Sequence, residues 1–78
     1  MAELKIMTYA TNEELRRLKY VHRLTIPRIT TLLTSDDWGG PSESTVGAWL
    51  SISKNNRMPA NSLDLLKIRL EENGYYED

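Results

Sequence analysis

Ser42-Glu43-Ser44-Thr45-Val46-Gly47-Ala48-Trp49-Leu50-Ser51 decides which fold this chain adopts. Val46, Trp49 and Leu50 recur at spacings of three and four, which marks one buried face of a helix. The opposite face, Glu43, Ser44, Gly47, Ala48 and Ser51, is small or polar. A solvated helix face ordinarily carries long, helix-favouring Lys, Glu and Gln. Short side chains suit a helix whose backbone must approach another surface closely. Ser42 can cap its start, and the pattern predicts a helix over residues 42–52.

Upstream, Trp38-Gly39-Gly40-Pro41 interrupts the chain, because glycine permits positive φ and proline fixes its own. Trp38 folds back over the core or serves as an exposed anchor. Before it lies a short helix with Thr25 as cap, Pro27 in the first turn and Ile29, Leu32 and Leu33 as its apolar side. The first helix follows from Thr11 as N-cap with Glu14 three residues on, a capping box. Leu15, Leu18 and Val21 face the core, and Arg16, Arg17, Lys19 and Arg23 occupy the remaining surface, either solvated or toward phosphate. Only Leu4-Lys5-Ile6-Met7 hints at an extended segment.

Downstream, Ser53-Lys54-Asn55-Asn56-Arg57 reads as a polar loop, followed by Met58-Pro59. A last helix over about 61–73 has Asn61 or Ser62 as cap, a Leu63/Leu66/Leu70 stripe widened by Leu65 and Ile68, and Gly74 as stop. Apolar residues on more than one side of it predict burial against the core and against a second surface. The expectation is one all-α domain over residues 1–78, a compact four- to five-helix bundle, with 1–10 and 75–78 as flexible ends.

Composition bounds the chemistry. The chain has 78 residues, no cysteine and one histidine, His22, so disulfides, zinc-thiolate sites and His-rich metal sites are excluded. His22 has no nearby nucleophile and reads as a boundary residue rather than a catalyst. Asp36-Asp37 reads as a solvated turn more readily than as a cation site. No Gly-rich loop follows a strand, and nothing in the sequence supports an enzyme, a cofactor or a small-molecule substrate. No apolar run reaches the roughly 20 residues of a membrane span, and MAELKIMTYA lacks the features of a signal peptide, so a cytoplasmic protein is expected. The net charge is −1. Residues 1–57 carry eight Lys or Arg and six acids, a balance of +2, and residues 58–78 carry two bases and five acids, a balance of −3.

The order of these pieces resembles a known family. Leu15 and Leu18, then Thr25, Ile29, Leu32 and Leu33, then Ser44-Thr45-Val46 with Trp49, then Arg57-Met58-Pro59 ahead of a Leu-rich helix follow one pattern. It is similar to the helix-turn-helix domain of phage Cro proteins, phage repressors and xenobiotic-response-element-type bacterial regulators. The resemblance covers residues 11–70 and implies a lambda-repressor-like fold. Three features depart from the family: the inserted Trp38-Gly39-Gly40-Pro41, the longer link from Trp49 to Pro59, and Ile26 where the family often has Gln. The resemblance implies that helix 42–52 enters the major groove of double-stranded DNA with Glu43, Ser44 and Ala48 at base edges. There Glu43 would accept from a cytosine amino group, Ser44 would bond either edge and Ala48 would touch a thymine methyl. Glu43 also reads as a first-turn acid that stabilises the helix dipole.

Phosphate contact falls to Lys54, Asn55, Asn56 and Arg57, whose side chains bond phosphate oxygens just past that helix. Thr25 and Arg28 are secondary candidates, and Ser42 is a cap that can also present N–H groups to phosphate. The expected function is a transcriptional regulator of Cro or repressor type, phage or prophage encoded, binding its operator as a homodimer. The alternative is a protein-interaction module or antitoxin-like adaptor on the same fold, with Trp38 exposed.

Overall fold

A computed structural model describes residues 9–35, 39–51 and 56–76. Among these the chain forms four helices and no strand: α1 (Ala10–Val21), α2 (Ile26–Leu33), α3 (Glu43–Leu50) and α4 (Ala60–Glu72). The all-α expectation is met. The segment 4–7, Asp36, Asp37, Trp38 and Glu77-Asp78 lie outside the described residues. The helix expected over 42–52 ends earlier, at Leu50, because the chain turns extended at its C-cap Ser51, at φ −86° and ψ 124°.

The start of α1 differs from the expected capping box. Tyr9 is the N-cap and makes no side-chain cap bond. Thr11 sits inside the first turn, and its hydroxyl donates to the Met58 carbonyl at 2.7 Å. A long-range partner has therefore taken the side chain that sequence assigned to a local cap. Glu14, freed from capping, accepts from Arg17 Nε at 2.6 Å and pairs with Lys67 of α4 at 3.4 Å.

The end of α1 also departs from expectation. Val21 is exposed, and Leu24 takes the core position at this end. The chain reverses through a left-handed Arg23, at φ 53°. Arg23 N–H reaches Tyr20 O at 3.3 Å and Leu24 N–H reaches Lys19 O at 2.9 Å, a Schellman closure that satisfies two orphan carbonyls and folds Leu24 inward. The reversal directs α2 away from α1. The backbones of those two helices stay apart, and each comes close to α3 and α4.

α2 forms as its sequence predicts. The Thr25 hydroxyl accepts from Arg28 N–H at 3.2 Å, and Pro27 occupies the first turn. Ile29, Leu32 and Leu33 are buried with Leu15, Leu18, Leu24, Val46, Trp49, Met58, Leu63, Leu66 and Leu70, so all four helices and two link residues, Leu24 and Met58, share a single core. Burying each such side chain stabilises the fold by roughly 1.5–3 kcal/mol.

Beyond α2, Ser35 and Gly39 exchange backbone hydrogen bonds of 2.8 and 2.9 Å, which closes the link. Gly40 then has φ +124°, and a Cβ there would lie 2.7 Å from Leu33 O. The glycine is required twice, by its backbone angle and by the approach of the chain to the end of α2.

α4 begins without the Asn61 or Ser62 cap. Pro59 is the N-cap, extended at φ −63° and ψ 143°, and the helix starts at Ala60. Pro59 O already accepts from Ser62 N–H at 3.1 Å and Leu63 N–H at 3.2 Å, so both polar residues lie within the first turn. At the far end Gly74, at φ +84°, closes a second Schellman turn, with Tyr75 N–H on Leu70 O at 2.9 Å. Tyr75 packs against the core and meets His22 edge to face at 5.6 Å. Leu65 also packs on the core, whereas Ile68 is exposed.

Two outcomes follow. Gly40→Ala should destabilise by about 2 kcal/mol or more, because the left-handed angle and the clash act together, whereas Gly39→Ala, in open space, should cost about 1 kcal/mol. Chemical denaturation of the two variants compares them. The Arg17 side chain beside Glu14 holds its carboxyl at about 2, below the ordinary 4.5, with Lys67 adding to the effect. A depressed folded pKa contributes stability that is present above the unfolded pKa and lost as pH falls toward the folded one. Glu14→Gln should therefore flatten the stability-versus-pH curve between about pH 4.5 and 2, measured by urea unfolding at a series of pH values.

Candidate nucleic-acid interface

α3 is an eight-residue helix held at three levels. At its start, the Ser42 hydroxyl accepts from Thr45 N–H at 3.1 Å, as its sequence predicts. Along its inner side, Val46 and Trp49 are buried in the core. At its end, Arg16 Nε donates to Leu50 O at 3.1 Å, which places a cation against the negative end of the helix dipole. Arg16 thus serves α3, which separates it from the surface bases among which it was expected.

The small outer face is partly a packing device. A Cβ on Gly47 would stand 3.8 Å from Ile26 Cδ1, so Gly47 lies against the first turn of α2 instead of facing outward with Glu43 and Ser44. Glu43, Ser44 and Thr45 are exposed, and Ala48 is half-buried. Thr25 is exposed and Arg28 half-buried at the start of α2, whose Ile26 faces Gly47.

Asn12 is the residue that sequence reasoning missed. It is 2% exposed, the one buried polar side chain among the described residues. Its amide nitrogen donates to Trp49 O at 3.1 Å and to Asn56 O, and its oxygen accepts from Met58 N–H at 2.7 Å. A carboxamide offers two donors and an acceptor oxygen, and all three polar functions are engaged. It fastens the end of α3 and the link after it to α1. The signal was available: Asn12 precedes Leu15 and Leu18 at the same spacing of three, a polar residue in line with the core stripe.

Asn56 and Arg57 are exposed on that fastened link, whereas Lys54 and Asn55 lie outside the described residues. The Arg57 guanidinium lies 5.6 Å from the centre of the Tyr9 ring. Arg28 is 5.8 Å from the centre of the Tyr75 ring, and its Nε makes a long, 3.4 Å contact to the Tyr75 hydroxyl. The structure therefore joins Glu43, Ser44 and Ala48 on one helix, brings the first turn of α2 to it through Ile26, and turns Arg28 toward Tyr75 beyond α4. It anchors Asn56 and Arg57 from the other side, through α1.

Two depressions mark the described surface. One, of about 330 Å³, lies between α1 and α4 and is lined by the Glu14–Arg17–Lys67 cluster, His22, Tyr75 and Tyr76. The other, of about 470 Å³, surrounds Lys19, Tyr20 and Arg23. The chain matches no family model, and no curated protein or solved structure is significantly similar to it.

Asn12→Leu should destabilise the chain by about 3 kcal/mol, because it leaves Met58 N–H and two carbonyls without their partners. In a domain of this length that corresponds to a Tm loss of at least about 10 °C, measurable by thermal unfolding.

Proposed function

We propose that this chain is a sequence-specific, double-stranded DNA-binding transcriptional regulator of the helix-turn-helix type, similar to Cro proteins and phage repressors. α3 is its groove-reading helix. The observation that carries the reading is the exposure of Glu43, Ser44 and Thr45 on a helix whose other side is locked by Val46 and Trp49. An α-helix fits the major groove, and base edges are reached from its N-terminal half. The packing of α2 on α3, with Ile26 facing Gly47, supports the pairing of helices that such a motif requires. Residues 34–42 separate the two helices, a longer connection than the usual three or four residues, and the Ser35–Gly39 closure keeps it compact.

Base readout falls to Glu43, Ser44 and Ala48, and phosphate contact to Thr25, Arg28, Ser42, Lys54, Asn55, Asn56 and Arg57. Binding as a homodimer would double the small surface that one such domain offers. A second reading, docking on another protein, is favoured by large apolar side chains in solvent: Tyr20 is 86% exposed, Tyr76 72% and Ile68 55%.

Fluorescence anisotropy on duplex DNA of random sequence tests the proposal. Binding should weaken steeply between about 50 and 200 mM salt, and Arg57→Ala and Lys54→Ala should each lower the logarithmic salt slope by about 0.9. Glu43→Ala and Ser44→Ala should change which sequences are selected and leave that slope in place. Absent or salt-insensitive binding would point to the protein-docking reading.

A further inference from the structure

Arg57 is restrained from two directions. Its peptide neighbours on both sides are bound by one side chain, because Asn12 donates to Asn56 O and accepts from Met58 N–H. Its guanidinium lies over the Tyr9 ring, 5.6 Å from the centre. No ion pair to Arg57 is formed among the described residues. An arginine in the middle of a link would ordinarily sample many rotamers, and ordering it on contact with a partner costs conformational entropy. Here the backbone is clamped and the side chain rests on an aromatic face. A cation–π contact neutralises no charge and takes no oxygen acceptor, so the guanidinium stays available to an anionic oxygen.

From this geometry we infer that Tyr9 is a positioning residue, which holds Arg57 ready for a phosphate oxygen of duplex DNA. The inference rests on the proposed DNA-binding function and adds to it a residue outside the helix-turn-helix segment. Tyr9 contributes its ring alone, since its backbone carbonyl is already used by Glu13 N–H at 3.0 Å. Arg28 lies over Tyr75 in a similar way, but Tyr75 also packs against the core, so its substitution would mix positioning with stability. Tyr9, at the N-cap of α1 and partly exposed, separates the two.

The test uses the full chain and a random-sequence duplex, with anisotropy read across a salt series. Tyr9→Leu should weaken binding by about two- to fivefold, the magnitude of a solvent-exposed cation–π contact, and Tyr9→Phe, which keeps the ring, should bind as the parent does. In an Arg57→Ala background, Tyr9→Leu should have no further effect. Circular dichroism checks that each variant is folded. Equal binding by Tyr9→Leu and the parent, tighter binding by Tyr9→Leu, or the same loss with Arg57 absent would each overturn the inference while leaving DNA binding intact. A parent chain that binds no duplex at any salt would remove the DNA-binding function, and this inference with it.

Discussion

The buried carboxamide of Asn12, with both donors and its acceptor engaged, is the constraint on which the arrangement of this chain depends. One buried group on α1 holds the last carbonyl-bearing turn of α3 through Trp49 and the connecting strand of chain through Asn56 and Met58. The same contacts bring Met58 into the core beside Trp49, so a polar network and an apolar cluster secure the same junction. A buried polar group is stabilising only when its bonds are made, and each bond left open costs more than the bond itself adds. The junction therefore has one well-satisfied geometry, and the position of α3 relative to α1 follows from it. Arg16, one turn further along α1, repeats the logic at Leu50 O.

With its inner side and its end held this way, α3 has only its first turn and outer edge free. Those positions carry Glu43, Ser44 and Thr45, short or acidic and not basic. The proposed interface therefore divides its work. α3 supplies hydrogen-bonding groups suited to base edges, and attraction to phosphate comes from outside it, from Arg28 at the start of α2 and Arg57 on the fastened link. This division agrees with a near-neutral chain in which acid gathers toward the C-terminus. Long-range steering by such a charge distribution is weak, so specificity in this account comes from short-range fit.

Local signals were legible in the sequence, and long-range polar contacts were not. Thr25 and Ser42 cap their helices as read, because an N-cap bond spans three residues and needs no tertiary information. The stripes Ile29/Leu32/Leu33, Val46/Trp49 and Leu63/Leu66/Leu70 are buried, because burial follows helical period. Thr11 and Glu14 had the same local signature as a capping box, yet Met58 O took the hydroxyl and Arg17 and Lys67 took the carboxylate. Val21 was in phase with Leu15 and Leu18, but the left-handed Arg23 turned the chain first and buried Leu24. No local pattern marks an arginine for that conformation. Gly47 was read as part of an outward face, and only the approach of Ile26 shows that it faces α2. Of the site, the helix and its exposed residues were readable, but the means that fix it in place, Asn12, Arg16, Tyr9 and Tyr75, act across intervals of sequence that periodicity does not reach.

The central claim, that the first turn of α3 meets the major groove, is tested most directly by backbone amide chemical shifts during titration with the duplex the chain selects. The account predicts perturbations concentrated at residues 42–48, with a second group at 25–28 and 56–57 and little change at Tyr20, Ile68 and Tyr76. Perturbations confined to Tyr20, Ile68 and Tyr76, with α3 unmoved, would contradict it.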